Sequence, residues 1–88
     1  MKVKSICIEP KIQFKIYSKH GVKFSEIKEA IQSQACVLRK TKDGKYIAFT
    51  KSQRYLTIVF TLEKGNLKII TAYPSSQWQV AILRRKKK

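Results

Sequence analysis

The sequence is poor in acid. Five carboxylates, Glu9, Glu26, Glu29, Asp43 and Glu63, face twenty lysines and arginines. Phosphodiester chemistry that clusters carboxylates around two metal ions has little to build from here. Cysteine and histidine are scarce as well. Cys7 and Cys36 cannot staple a secreted scaffold, and with the single His20 they fall short of a four-ligand zinc site. Both cysteines are expected to be small buried hydrophobes. Three glycines and two prolines leave neither a flexible linker nor a glycine-rich phosphate loop. No apolar run reaches the ~18 residues of a membrane span. The opening Met1-Lys2-Val3-Lys4-Ser5-Ile6-Cys7-Ile8 lacks the apolar stretch of a signal peptide. The expectation is a cytoplasmic protein with no membrane attachment, no metal and no small-molecule cofactor.

What the chain does have is positive charge. Its 88 residues fit one domain, 1–88, and carry a net charge of +15. Residues 1–44 contribute +6 and residues 45–88 contribute +9, so the excess runs through the fold. A small soluble domain needs a net charge of only about 2–8. Self-repulsion of this size is relieved by a polyanion or by an acidic partner. The final Arg84-Arg85-Lys86-Lys87-Lys88 reads as a basic tail at 84–88.

Periodicity sketches an α+β domain. Val3 to Glu9 reads as a strand interrupted by Pro10. Ile12, Phe14 and Ile16 alternate with Gln13 and Lys15, which predicts a second strand over Ile12 to Tyr17. Ser18 to Gly21 reads as a loop. Phe24 to Ile31 predicts a helix with Ser25 as N-cap, Glu26 in the first turn and Ile27, Ala30 and Ile31 as its apolar stripe. Four β-like runs follow: Ala35 to Lys40, Lys45 to Lys51, Arg54 to Leu62 and Leu67 to Tyr73. Asp43-Gly44 and Gly65-Asn66 mark hairpins between them. Ser76 to Arg85 reads as a closing helix capped by Ser75, with Trp78 and Ile82 docked on the sheet. The expected fold is an antiparallel sheet of four to five strands with an internal helix and a C-terminal helix on one face.

Several residues could carry chemistry. A straight register pairing Leu62 with Leu67 sets Phe60 against Ile69, Ile58 against Thr71 and Leu56 against Tyr73. The open end of that hairpin would gather Tyr73, Thr71 and Arg54. His20 is the one side chain that ordinarily titrates near neutrality. It lies between Lys19 and Lys23, beside a glycine that permits a turn. RNA cleavage by the 2′-hydroxyl needs a base, an acid and cations on the phosphate, and His, Tyr, Lys and Arg supply these without metal. The plainer reading of His20 is a residue that caps a turn. Bases interleaved with rings at Lys45-Tyr46, Arg54-Tyr55 and Tyr73 to Trp78 suit single-stranded RNA. The plainer reading of those rings is packing on a small sheet.

Some segments resemble a known family. Lys19-His20-Gly21-Val22-Lys23-Phe24-Ser25-Glu26-Ile27 is similar to the "KHGVSFEEA" segment of BrnT-type toxins. Lys45 to Ser52, Arg54 to Thr61 and Leu67 to Tyr73 resemble the three strands that follow in that family, the last two reading "LLVVVYT" and "IRIISAR" there. A related group with "VITAYPS"-like endings resembles Ile70 to Ser75 equally well. Both groups belong to the RelE-like superfamily of small ribonuclease toxins, and the resemblance spans about residues 14 to 83.

The resemblance implies a RelE-like fold, endoribonuclease activity in a type II toxin–antitoxin pair, RNA as substrate and an acidic antitoxin as partner. It implies basic residues on the sheet as the centre of activity. These correspond to Lys45 and Lys51, lysine where arginine is common. Tyr73 stands where the family carries the arginine of "ISAR", so Arg54 or Arg39 would have to replace that cation, and Tyr73 could act as an acid or stack a base. The catalytic set expected from the sequence is His20, Lys45, Lys51, Arg54 and Tyr73. The expected nucleic-acid contacts are Lys19, Lys23, Arg39, Arg84 and Arg85. The alternative is a non-catalytic RNA- or DNA-binding module, or a decayed toxin homologue.

Overall fold

A computed structural model describes residues 5–33, 36–51 and 54–86. The chain runs β1 (Ser5–Cys7), α1 (Pro10–His20), α2 (Phe24–Gln32), β2 (Cys36–Lys40), β3 (Tyr46–Lys51), β4 (Tyr55–Glu63), β5 (Asn66–Pro74) and α3 (Gln77–Lys86). The strands form one sheet in the order β1-β5-β4-β3-β2. The class is α+β, as the sequence indicates. β2 to β5 form the expected antiparallel meander, while β1 pairs parallel with β5. Of the residues read as strand or tail, Val3, Lys4, Ala35, Lys87 and Lys88 lie outside the described residues. Among the described residues, no helix is long and apolar enough to cross a membrane.

Residues 12–17 are helical, against the alternation that suggests a strand. Pro10 sits in the first turn of α1, where its missing N–H costs nothing. Gly21 ends the helix at φ 66°, returning its N–H to the Tyr17 carbonyl at 2.8 Å. That left-handed C-terminal position is open to glycine at little cost. Between these brackets Ile12 and Ile16, four apart, form the inward stripe, and Phe14 is left 73% exposed. α2 buries Ile27, Ala30 and Ile31 as its spacing predicts. Its N-cap is Lys23, so Ser25 falls inside the first turn and does not cap.

α1 and α2 cover one face of the sheet. There Ile16, Ile27 and Ile31 pack with Ala48, Leu56, Ile58, Phe60, Leu67, Ile69 and Ala72. Each of the larger side chains contributes about 1.5–3 kcal/mol of transfer free energy. α3 lies on the opposite face, not beside the other helices. Its Leu83 packs with Val37 and Phe49, with Ile47, Tyr55 and Ile82 around them. Trp78 is 61% exposed and meets the Phe49 ring edge-on at 5.9 Å, so the buried α3 positions are Gln79 and Leu83. Cys7 is exposed and Cys36 half-buried, which corrects their reading as core residues. Burial pushes the Cys36 thiol up from its ordinary pKa.

The β4–β5 hairpin turns on Lys64-Gly65, both at positive φ, with Glu63 paired to Asn66. Leu62↔Leu67 and Phe60↔Ile69 pair as expected. The register then slips by one residue: Val59 pairs with Thr71, Ile58 with Ala72 and Thr57 with Tyr73. The slip leaves Ile70 as an extra residue in β5, a β-bulge. Because side chains alternate, the slip exchanges faces beyond it. Ala72 enters the α1/α2 core, and Tyr73 joins Thr57 on the α3 face.

Candidate active site

Tyr73 stands at an open margin of the sheet. β1 pairs with β5 only over Asn66 to Lys68, and no other described strand continues that edge. The half-buried Tyr73 side chain is therefore reachable from both helical layers. From the α3 side, Gln79 Nε2 donates to the Tyr73 hydroxyl at 3.2 Å. Gln79 is only 4% exposed, and its Oε1 accepts the Ser76 N–H at 2.8 Å. Because that N–H claims the amide oxygen, the amide NH2 is the end that faces the phenol. The phenol oxygen then serves as acceptor, and its own proton is free to point outward. Ser75, the residue after β5, shares a 2.8 Å hydrogen bond with Thr57 and fixes the approach to α3.

From the other side comes His20, the last residue of α1. Its exposed ring lies 6.1 Å from the Tyr73 ring, centroid to centroid, tilted by 48°. Lys19 and His20 also border a cavity of about 260 Å³ between α1 and β5. Two candidate proton carriers far apart in sequence are thus in ring contact beside a basic recess.

The other residues singled out from the sequence separate. Arg54 is engaged within the fold. Its Nε and Nη2 reach the Glu26 carboxylate at 2.5 and 3.1 Å, and Nη2 also donates to the Gly21 carbonyl at 3.0 Å. This bidentate clamp holds the α1–α2 turn against the start of β4. The Arg54 hydrogen bond holds the Glu26 carboxyl below its ordinary range, and Glu26 raises Arg54 in turn. Lys51 ends β3 at the same end of the sheet, with its ammonium 5.2 Å from the centre of the Tyr55 ring. It is two strands from Tyr73, a lateral separation of ~10 Å. Lys45 precedes β3 in the hairpin, 3.3 Å from Asp43. Six residues at ~3.3 Å each set it ~20 Å from Lys51, at the far end of the sheet.

Lys23 borders a depression with Glu26 and Glu29, an acidic corner of a basic molecule. Arg39 and Arg85 line a groove of about 390 Å³ between β2 and α3, at the edge opposite Tyr73. Arg84 is exposed near the end of α3, so 84–86 of the basic run belong to that helix. Sequence reasoning missed Gln79, whose part depends on the α3 start meeting β5, and Lys15, hidden by reading 12–17 as a strand. Among the described residues no group of three or more His, Cys, Asp or Glu side chains is placed to hold a metal ion.

No protein-family model matches the sequence, and a search of curated proteins finds no match. Among solved structures, the ribonuclease toxin BrnT of Brucella abortus superposes with a TM-score of 0.69, covering 83% of this chain and 97% of that one at 17% identity. This chain therefore has the fold of the BrnT ribonuclease toxin.

Proposed function

We propose that the protein is a metal-independent endoribonuclease toxin of a type II pair, acting on RNA in the cytoplasm and held in check by an acidic antitoxin. The observation that carries this reading is the His20–Tyr73 ring contact at 6.1 Å, on a fold shared with a ribonuclease toxin. The net charge of +15 supports a polyanionic substrate and an acidic partner. In the proposed reaction, His20 takes the proton of a 2′-hydroxyl and the 2′-oxygen attacks the adjacent phosphorus. The bond to the 5′-oxygen breaks, and the Tyr73 hydroxyl, held as an acceptor by Gln79, gives its proton to that leaving oxygen. The products are a 2′,3′-cyclic phosphate and a 5′-hydroxyl. Lys19 and Lys51 are the expected cations nearest this end of the sheet, while Arg54 positions the α1–α2 turn.

A second reading, a nucleic-acid-binding module without catalysis, is favoured by one feature: Arg54, which reaches the Gly21 carbonyl beside His20, is committed to Glu26 and Gly21. The test is incubation of the purified protein with RNA in EDTA, with and without ribosomes. Cleavage leaving cyclic-phosphate ends, lost in His20→Ala and Tyr73→Phe with RNA binding retained, supports the enzyme. Intact RNA under both conditions refutes it.

A further inference from the structure

α1 carries a feature that neither proton transfer nor packing uses. Lys11, Lys15 and Lys19 recur every four residues, so they form one ridge along the helix, rising ~6 Å per step. Like charges at this spacing oppose each other, and the helix has no acidic side chain in its first turn to offset them. None of the three is ion-paired with another described residue. The ridge leads along α1 to His20. On its inner flank is the cavity of about 260 Å³, whose floor is Ile12, Ile16 and Ile70. Lys15, Lys19, His20 and Thr71 stand around that floor, and among the described residues no carboxylate does. On its outer flank the ring of Phe14 is 73% exposed. Phe14 is three residues from Lys11, within side-chain reach on a helix.

We propose that the α1–β5 groove and its lysine ridge form the track for single-stranded RNA, with phosphates on Lys11, Lys15 and Lys19 and a base over the apolar floor, leading the strand to His20 and Tyr73. The inference rests on RNA being the substrate and names the part of the surface that holds it. A nucleotide combines an anionic phosphate with a flat apolar base, which matches a cationic rim over an isoleucine floor. A cationic groove with an exposed ring beside it, Phe14 next to Lys11, has the elements of single-strand recognition. An acidic peptide would account for the lysines but leaves the apolar floor of Ile12, Ile16 and Ile70 unused.

The test uses a fluorescent RNA oligonucleotide with 2′-O-methyl sugars throughout, which cannot be cut, and fluorescence anisotropy with the full chain. Lys15→Ala/Lys19→Ala should weaken binding at least tenfold at 0.1 M salt. It should also reduce the slope of log affinity against log salt by about 1.4, near 0.7 for each phosphate that is no longer neutralised. Lys42→Ala, in the β2–β3 turn at the other side of the sheet, should change affinity less than twofold. On the wild-type protein, bound RNA should shield Lys15 and Lys19 from acetylation and leave Lys42 reactive, a result independent of any variant. Equal effects of the double variant and the control, or no shielding, overturn the proposal. So does binding of polyglutamate that depends on both lysines while RNA binding does not. Because the probe cannot be cleaved, a wild type that binds it through this groove but cuts no natural RNA would refute catalysis and leave the track standing. Cleavage unaffected by Lys15 and Lys19 would do the reverse.

Discussion

Replacing Arg54 by alanine separates a structural role from a catalytic one. The wild-type guanidinium makes two contacts to Glu26 and one to the Gly21 carbonyl. The Glu26 side chain is 16% exposed and that of Arg54 is 41% exposed. Fully exposed ion pairs contribute about 0.2–1 kcal/mol, and hydrogen bonds to charged groups about 1.5–3. Discounting the second range for the solvent at Arg54 gives about 1.5 kcal/mol for Arg54→Ala, most of it from leaving the Glu26 carboxylate without its partner. For a domain of this size that is a fall in Tm of roughly 6–12 °C. Urea denaturation followed by circular dichroism measures it, and an Arg54→Ala/Glu26→Ala cycle should show coupling of about 1 kcal/mol. The pH dependence has a definite sign. Arg54 depresses the folded-state pKa of Glu26 below its ordinary 4.5, so the contribution is present above that value and is lost as pH falls through the lower folded pKa. The gap between wild type and Arg54→Ala should therefore be full at pH 7 and close in acid below 4.5. A variant as stable as wild type that has lost RNA cleavage would refute the clamp and make Arg54 a substrate contact.

Tyr73→Phe should cost about 1 kcal/mol by stranding the buried Gln79 amide, read by denaturation, and should lower kcat at least ~100-fold if the hydroxyl is the general acid. Leu83→Ala should destabilise by about 2–4 kcal/mol, since Leu83 is the buried α3 contact with Val37 and Phe49, whereas Trp78→Ala should cost less than ~1 kcal/mol. In the native protein, Cys7 should react rapidly with a thiol reagent such as DTNB and Cys36 slowly, because Cys36 is half-buried with its thiol pKa raised. Equal rates for the two thiols would contradict that difference in burial.

The meander is legible because its signals are local. Asp43-Gly44 marks its turn, and Gly65-Asn66 marks the next hairpin to within one residue, the turn itself being Lys64-Gly65 with Asn66 already paired to Glu63 in β5. α2 is legible because Ile27, Ala30 and Ile31 admit one period. α1 is ambiguous because Ile12, Phe14 and Ile16 fit a period of two, while Ile12 and Ile16 alone fit a helix. The deciding signals lie at its ends, Pro10 in the first turn and Gly21 after the last, and they outrank an alternation of three residues. α3 misleads through Trp78: its size suggests burial, but facing the sheet at Leu83 and Gln79 turns the indole largely outward.

The candidate site depends on two features that single-residue patterns do not report. A straight β4–β5 register would set Tyr73 across from Leu56, on the face packed by α1 and α2. There its hydroxyl would point into the apolar core, away from Gln79. The extra residue at Ile70 turns it to the face that α3 crosses, and only then does the buried glutamine reach it at 3.2 Å. A strand over residues 12–17 would likewise have left His20 in a loop with no fixed neighbour. As the last residue of α1, it is carried to the edge of β5 and held where the Gly21 turn, tied down by Arg54, reverses the chain. The bulge turns the phenol outward and the helix brings the imidazole to it. Neither arrangement is specified by His20 or Tyr73 alone, which is why both residues could be singled out by their chemistry while their contact depended on the fold.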